Sequence, residues 1–382
     1  MKFVLSLFNC AAVGSSIDDP NETIIDGPDT GKTHAMVWAE RLHENQRGLG
    51  DDDFLFASRI NEATLNHIIP DGYTKEKGRK GQSVALWLAG SPEGGDLLAH
   101  NDFALGSQIS TETLNHIIQE GPHKGCSVAF WLAESLEGQD LLAHGNPSLG
   151  SQIRAETLNH IIQEGGYKGK SVAFWLAVSP EGPDLLAHDD FALGSRITAE
   201  TLNHVIEKGP DKGLSVAYWL AADPEGRALL AHDNYKLGKQ ISKETLNHIE
   251  DIGESVALLL AGCEEGQALL AHNDCELGKK LSEETLNHIE DIGESVALLL
   301  AGCEEGQALL AHNDCELGKK LSEETLNHII PKGQDKGKTI AEILARTVKG
   351  KEILEQRNIF LGLGSMFTNQ SPTISSSEYT PR

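Results

Sequence analysis

The sequence predicts an all-α protein, a tandem helical-repeat solenoid of about seven units of 40 to 44 residues closed by degenerate caps. Three observations carry this expectation. The triplet Leu-Asn-His occurs seven times, with its Leu at 65, 114, 158, 202, 246, 286 and 326, so successive copies lie 49, 44, 44, 44, 40 and 40 residues apart. A fixed period of that length marks a stack of supersecondary units. Residues 250–289 and 290–329 are identical, and a module that can be copied intact contacts mainly its neighbours. The hydrophobic fraction of 39% over 382 residues is low for one globule but suits a solenoid, which buries a narrow core and leaves much surface wet.

One unit, 171–209, holds three short helices. The first follows Ser171 as N-cap and runs through Val172, Phe174, Trp175 and Leu176. For the second, Ser179 supplies a cap, Pro180 is tolerated in the first turn and Glu181 favours the positive helix end. It carries Leu185 and Leu186 and is expected to stop near His188. The third is capped by Thr198, with Glu200 in its first turn, places Leu202, Val205 and Ile206 on one face and ends at Gly209 through a left-handed turn. Helices of about two turns are unstable alone in water, so stacking must supply the stability. The 40-residue units differ by a shorter link between third and first helices, and such an indel identifies an exposed connection.

Degenerate copies close the array. Thr33 to Ala39 matches the start of the first helix and Thr339 to Leu354 matches the first two helices, giving eight first helices that begin at 33, 83, 127, 171, 215, 255, 295 and 339. The expected organisation is therefore an N-terminal cap over 1–32, a solenoid over 33–358 and a disordered tail over 359–382, where Gly, Ser, Thr, Asn and Pro take over. Lys2, the apolar stretch from Phe3 to Phe8 and the small residues Ala12 and Gly14 imitate a secretory signal. Asn9 and Cys10 interrupt it, and a short capping helix is expected instead.

The stretch Gly169-Lys170-Ser171-Val172-Ala173-Phe174-Trp175-Leu176-Ala177 resembles the opening of an ankyrin repeat, in which a Gly, a capping Thr and a small-residue helix follow in similar order. The match covers a third of each unit. Val172 stands where ankyrin repeats carry Pro and Phe174 where they carry His, and the units exceed the usual length of about 33 residues. A three-helix unit of this size is equally similar to armadillo or HEAT arrays, and the acidic, near-identical repeats resemble those of effectors from intracellular bacteria. What the resemblance implies is a partner-binding solenoid; the expected location is cytoplasmic or secreted into a host cell, with action on a host protein as the expected role of an effector.

The net charge of −25 argues against nucleic acid or anionic membrane as partner, because such affinity comes from Lys and Arg neutralising phosphates. The acids concentrate in the duplicated module, where each 40-residue copy holds nine acids and two bases. Six cysteines, four of them in the duplicated module (Cys263, Cys275, Cys303, Cys315), make no disulfide framework and are read as reduced, small and semi-buried.

Two motifs imitate chemistry. Asp26-Gly27-Pro28-Asp29-Thr30-Gly31-Lys32-Thr33 ends like a phosphate-binding loop, but Asp26 replaces its first Gly and the segment recurs as an inter-unit loop before Val128 and Val216. Thirteen of sixteen histidines sit at two repeat positions, seven ending Leu-Asn-His and six (His100, His144, His188, His232, His272, His312) ending Leu-Leu-Ala-His. Stacked units stand roughly 8–10 Å apart, too far for one ion to collect ligands at about 2 Å. Each Asn and His is expected to hydrogen-bond loop backbone in every unit. Trp87, Trp131, Trp175 and Trp219 share a position that becomes Leu259 and Leu299, which points to packing.

The expected function is a protein-interaction scaffold, acting as a monomer without cofactor or metal and not as an enzyme. Its partner-binding residues are the repeated acidic pairs Glu264-Glu265, Glu283-Glu284, Glu304-Glu305 and Glu323-Glu324, and its partner presents a basic surface. Positions that vary between units, Gln119, Glu120 to Lys124, Glu207, Lys208, Asp211 and Lys212, are further candidates. The alternatives are a His/Asp/Cys metal-binding protein and an enzyme with an accessory repeat arm. Deletion of 290–329 restores an identical junction, so the shortened chain should express in soluble form with an unchanged helical circular-dichroism signal per residue; loss of either would show that the units are not modules.

Overall fold

The computed structural model describes residues 19–24, 29, 32–45, 49–69, 80–100, 104–144, 148–250 and 253–356. The expected disordered tail and most of the expected N-terminal cap fall outside them. Among the described residues every element is helical apart from isolated bridges such as Ile249 to Ser255 and Ile329 to Thr339. The chain divides into two compact units, 1–241 and 242–382. Within each, the first helices of successive repeats pack on one another and the second helices do the same, giving two layers around one core.

All eight first helices begin one residue after the Ser or Thr that the repeat predicts, from His34–Asn45 and Val84–Ala89 through Val172–Val178 to Ile340–Leu344. The cap explains the shared start. Ser83 Oγ accepts from the Leu86 N–H at 3.1 Å, Ser171 Oγ from Phe174 at 3.1 Å and Ser255 Oγ from Leu258 at 3.1 Å, which satisfies one of the donors a helix start leaves unpaired. These helices are the core: every residue of Val84–Ala89 is buried, as are Val128 to Ala133.

Several second helices start where Pro or Glu follows the N-cap residue, as at Pro92, Pro224, Glu264 and Glu304. Ser91 and Asp223 cap Pro92–Ala99 and Pro224–Tyr235 by accepting from the Gly94 and Gly226 N–H groups. The unit at 171 departs from the expectation: its second helix is Gly182–Phe191, with Pro183 rather than Pro180 in the first turn and no cap from Ser179. Its end lies three residues beyond His188. A glycine in this first turn is required by close approach, because a Cβ on Gly138 or Gly266 would collide with the carbonyl of Leu132 or Leu260 in the preceding helix.

The third helices are shorter than the periodicity predicts. Ala199–Asn203 ends at Asn203, not Gly209, because His204 is already extended (φ −69, ψ 117). Ile206 then leaves the helix and forms the base of a hairpin-like loop, its N–H donating to Leu214 O at 3.0 Å and its O accepting from Gly213 N–H at 2.7 Å. The same base recurs at Ile118 and at Ile162, and at Glu250 and Glu290 where the loop is shorter. Only the exposed tip is trimmed.

What joins one repeat to the next is the Asn of Leu-Asn-His. Asn115 Nδ2 donates to Thr111 O at 2.7 Å in its own helix and to Gln152 O at 2.9 Å in the next repeat, while its Oδ1 accepts from the Arg154 N–H at 2.7 Å. Asn66 repeats this with Glu62, Gln108 and Ser110, and Asn159 with Ala155, Arg196 and Thr198. In the second unit Asn247 and Asn287 clamp Lys280 with Ser282 and Lys320 with Ser322. Asn115→Ala should therefore lower the unfolding free energy by on the order of 2–3 kcal/mol, since buried partners lose their bonds. Asn327→Ala should cost less than about 1 kcal/mol, because Asn327 donates only to Glu323 O among the described residues; equal losses in urea denaturation would refute the clamp.

Candidate protein-binding surface

The eight expected partner-binding glutamates all open helices. Glu264 and Glu265 stand in the first turn of Glu264–Cys275, and Glu304 and Glu305 in that of Glu304–Ala311. Glu283 and Glu284 begin Glu283–Asn287, and Glu323 and Glu324 begin Glu323–Asn327. Acids are favourable there because the helix start carries positive partial charge. All eight are exposed. They form two sets rather than one, the first on the second helices and the other on the third helices. Among the described residues Glu304 alone has an ion-pair partner, Lys349 at 3.8 Å.

Four of the variable loop positions, Glu120, Lys124, Glu207 and Asp211, are already engaged within the protein. Lys124 meets Glu164 of the next repeat at 3.3 Å, Lys168 meets Glu207 at 3.1 Å and Lys80 meets Glu120 at 3.9 Å. Lys170 pairs with Asp211 at 2.7 Å and lies 4.0 Å over the Trp175 ring. Exposed pairs contribute little singly, yet they leave the long loops close to neutral.

The short loops differ, in a way the acidic pairs do not announce. The position held by Ile118, Ile162, Ile206 and Ile330, each no more than 5% exposed, is occupied by Glu250 and Glu290 at 8% and 9%. The signal was visible as Leu-Asn-His-Ile-Glu in place of Leu-Asn-His-Ile-Ile, but the burial of that position was not. Burial, then repulsion from Glu254, Glu294 and Asp291, pushes the Glu290 carboxyl up to about 7. Its Oε1 is buried without a hydrogen-bond partner.

The remaining motifs are used by the fold. Lys32, the lysine of the phosphate-loop imitation, is 3% exposed and held by Asp29 at 2.9 Å and Glu40 at 3.0 Å, so its charge is committed internally. Several Leu-Asn-His histidines pack against a glycine of the preceding loop: a Cβ on Gly81 (φ +82) would lie 2.9 Å from His116 Nε2, and one on Gly169 (φ +89) 3.3 Å from His204 Nε2, whereas His248 Nε2 stands 3.9 Å from Glu250 Oε1. The expected backbone bond thus belongs to the Asn alone. Burial holds His116, His160 and His204 below the ordinary 6.5. Trp87 and Trp131 are buried edge-to-face against His123 at 5.2 and 5.7 Å. Cys126, Cys263, Cys303 and Cys315 are free, and burial pushes the Cys126 thiol up to about 12. Among the described residues no three His, Cys, Asp or Glu side chains are placed to hold a metal ion, and no helix is long and apolar enough to cross a membrane.

No family model and no curated protein matches the sequence. Among solved structures the chain is similar to one described as the Bd0816 predatory endopeptidase from Bdellovibrio bacteriovorus in complex with immunity protein Bd3460. The similarity is 15% in identity with a TM-score of 0.27, over 59% of this chain and 94% of the other. At that level it defines neither a family nor an activity.

The buried carboxyl has a pH signature. With its folded value above the ordinary 4.5, Glu290 binds more protons folded than unfolded between the two values, so its contribution is present below 4.5 and is lost as pH rises to about 7. The thermal midpoint of wild type should fall relative to Glu290→Gln across that window, and a constant difference would contradict the burial.

Proposed function

We propose that the chain is a protein-interaction scaffold whose partner presents a basic surface, and that it is not an enzyme. The observation that carries this reading is the exposure of four glutamate pairs at helix starts of two identical repeats, seven of the eight residues having no ion-pair partner among those described. Charge laid out at the period of the repeat suits a complementary surface, which it attracts during diffusion. The repeat supports a binding role through its own economy, since the polar residues at equivalent positions are used for clamping, capping and packing, and none forms a solitary catalytic set.

The repeat itself is ankyrin-like with an added third helix: a hairpin-like loop, a Ser-capped helix and an antiparallel companion recur in that order. The likeness of the acidic, near-identical repeats to effectors of intracellular bacteria supports a host protein as the partner. Pull-down followed by mass spectrometry identifies it. Its association rate should fall between low and moderate salt, by screening over a Debye length of roughly 8 Å, and should fall again in a variant with Glu264, Glu265, Glu304 and Glu305 changed to Gln. An association rate indifferent to both would reduce the acidic pairs to a solubility device.

A further inference from the structure

The short loops stack an acid on an acid where the long loops place a lysine. At the long junctions a loop lysine reaches a glutamate of the next repeat, as Lys124 does Glu164 and Lys168 does Glu207. The stretches 249–254 and 289–294 contain no lysine or arginine. In its place the side chain of Glu290 is pressed onto the preceding loop, its Cγ lying 3.5 Å from where a Cβ on Gly253 would stand. Ile162 and Ile206 approach Gly125 and Gly169 in the same way, at 3.2 and 3.6 Å. Glu290 therefore inherits a core isoleucine's place while carrying a carboxyl group.

Among the described residues no cation is found acting on it. The charged groups acting on Glu290 are Glu254 on the preceding loop and Asp291 and Glu294 on its own, all of one sign. The other titratable groups nearby are His288, whose Nε2 lies 3.8 Å from the Gly253 Cβ position, and His328, whose Nε2 lies 3.5 Å from that of Gly293. Lys338 on the following loop is spent on Asp335 at 2.8 Å. Oε1 of Glu290 is fully buried and accepts no hydrogen bond, an arrangement that costs free energy unless a proton or a cation supplies the missing partner.

We propose that Glu254, Glu290, Asp291 and Glu294 form a receptor for one lysine or arginine side chain of the basic partner, taking the place of the loop lysine that the short repeats lack. This rests on the reading of the chain as a binder of basic proteins and assigns that reading a particular contact. Glu290 is the floor, half-buried Glu254 and exposed Asp291 and Glu294 are the mouth, and Ile292, 46% exposed at the loop tip, offers an apolar surface for the aliphatic stem of the incoming side chain. Once the Glu290 side chain turns its carboxylate toward the mouth, the donors of an ammonium or guanidinium group satisfy the orphaned oxygen, and the cation offsets the repulsion among the four acids. With its carboxyl pushed up to about 7, Glu290 is partly protonated near neutral pH and must release that proton to accept a cation, so binding and deprotonation are linked.

The test uses the full chain and octalysine as probe, titrated calorimetrically at about pH 6.5 in two buffers of different ionisation enthalpy. Wild type should bind with net proton release. Glu290→Ile, which restores the residue of the longer repeats, and Glu290→Gln, which keeps the shape, should both bind at least about tenfold more weakly and release no proton. Circular dichroism confirms that each variant is folded. If both bind octalysine as wild type does, with the same proton release, the receptor is refuted. If affinity is lost instead in the variant with Glu264, Glu265, Glu304 and Glu305 changed to Gln, the scaffold reading stands and the receptor falls. Absence of any octalysine binding overturns both.

Discussion

A helix of four or five residues forms too few internal hydrogen bonds to offset the ordering of its own backbone, and one such helix stands at each of the seven Leu-Asn-His triplets. The side-chain amide of its last residue resolves the difficulty. Asn115, Asn159 and Asn287 each bond a carbonyl one turn back and a carbonyl and an N–H of the next repeat. An amide is suited to this because it donates and accepts from one planar group, as a peptide unit does. The three-helix repeat, the tight loops and the stacking of first helices all depend on that clamp holding successive repeats in register.

Given the clamp, each repeat can vary elsewhere. The loop tip loses four residues without disturbing the two backbone bonds at its base, since Ile118 and Glu250 both pair through their N–H with the residue before the Ser cap. What changes is the charge balance. Long loops carry lysines that meet acids on the next repeat, whereas short loops remove the lysine and set a carboxyl group in a core position. Duplication of the short module then repeats the imbalance, and the acidity of the chain becomes local rather than diffuse. The buried member of that acidic set, Glu290, is the one whose carboxyl is pushed up to about 7.

Much of this was legible in the sequence. The repeat period and the Ser or Thr before each first helix located all eight first helices to within one residue, because an N-cap and a buried apolar run are local signals. The exposure of the acidic pairs is local in the same way, since a pair of glutamates in a first helical turn faces water. Tertiary structure decided the rest. Val205 and Ile206 have helical spacing yet leave the helix, because the loop offers Ile206 a backbone partner in Leu214. Ser179 and Pro180 look like a helix start and are bypassed in favour of Pro183. The partners of Asn66 and Asn287 in the next repeat, the packing of His116 and His204 on a glycine of another repeat and the approach of Glu290 to Gly253 involve residues 33 to 44 positions apart. Periodicity announces that such contacts repeat, but only the stacking of one repeat on the next decides which atoms meet and which carboxyl group loses its water.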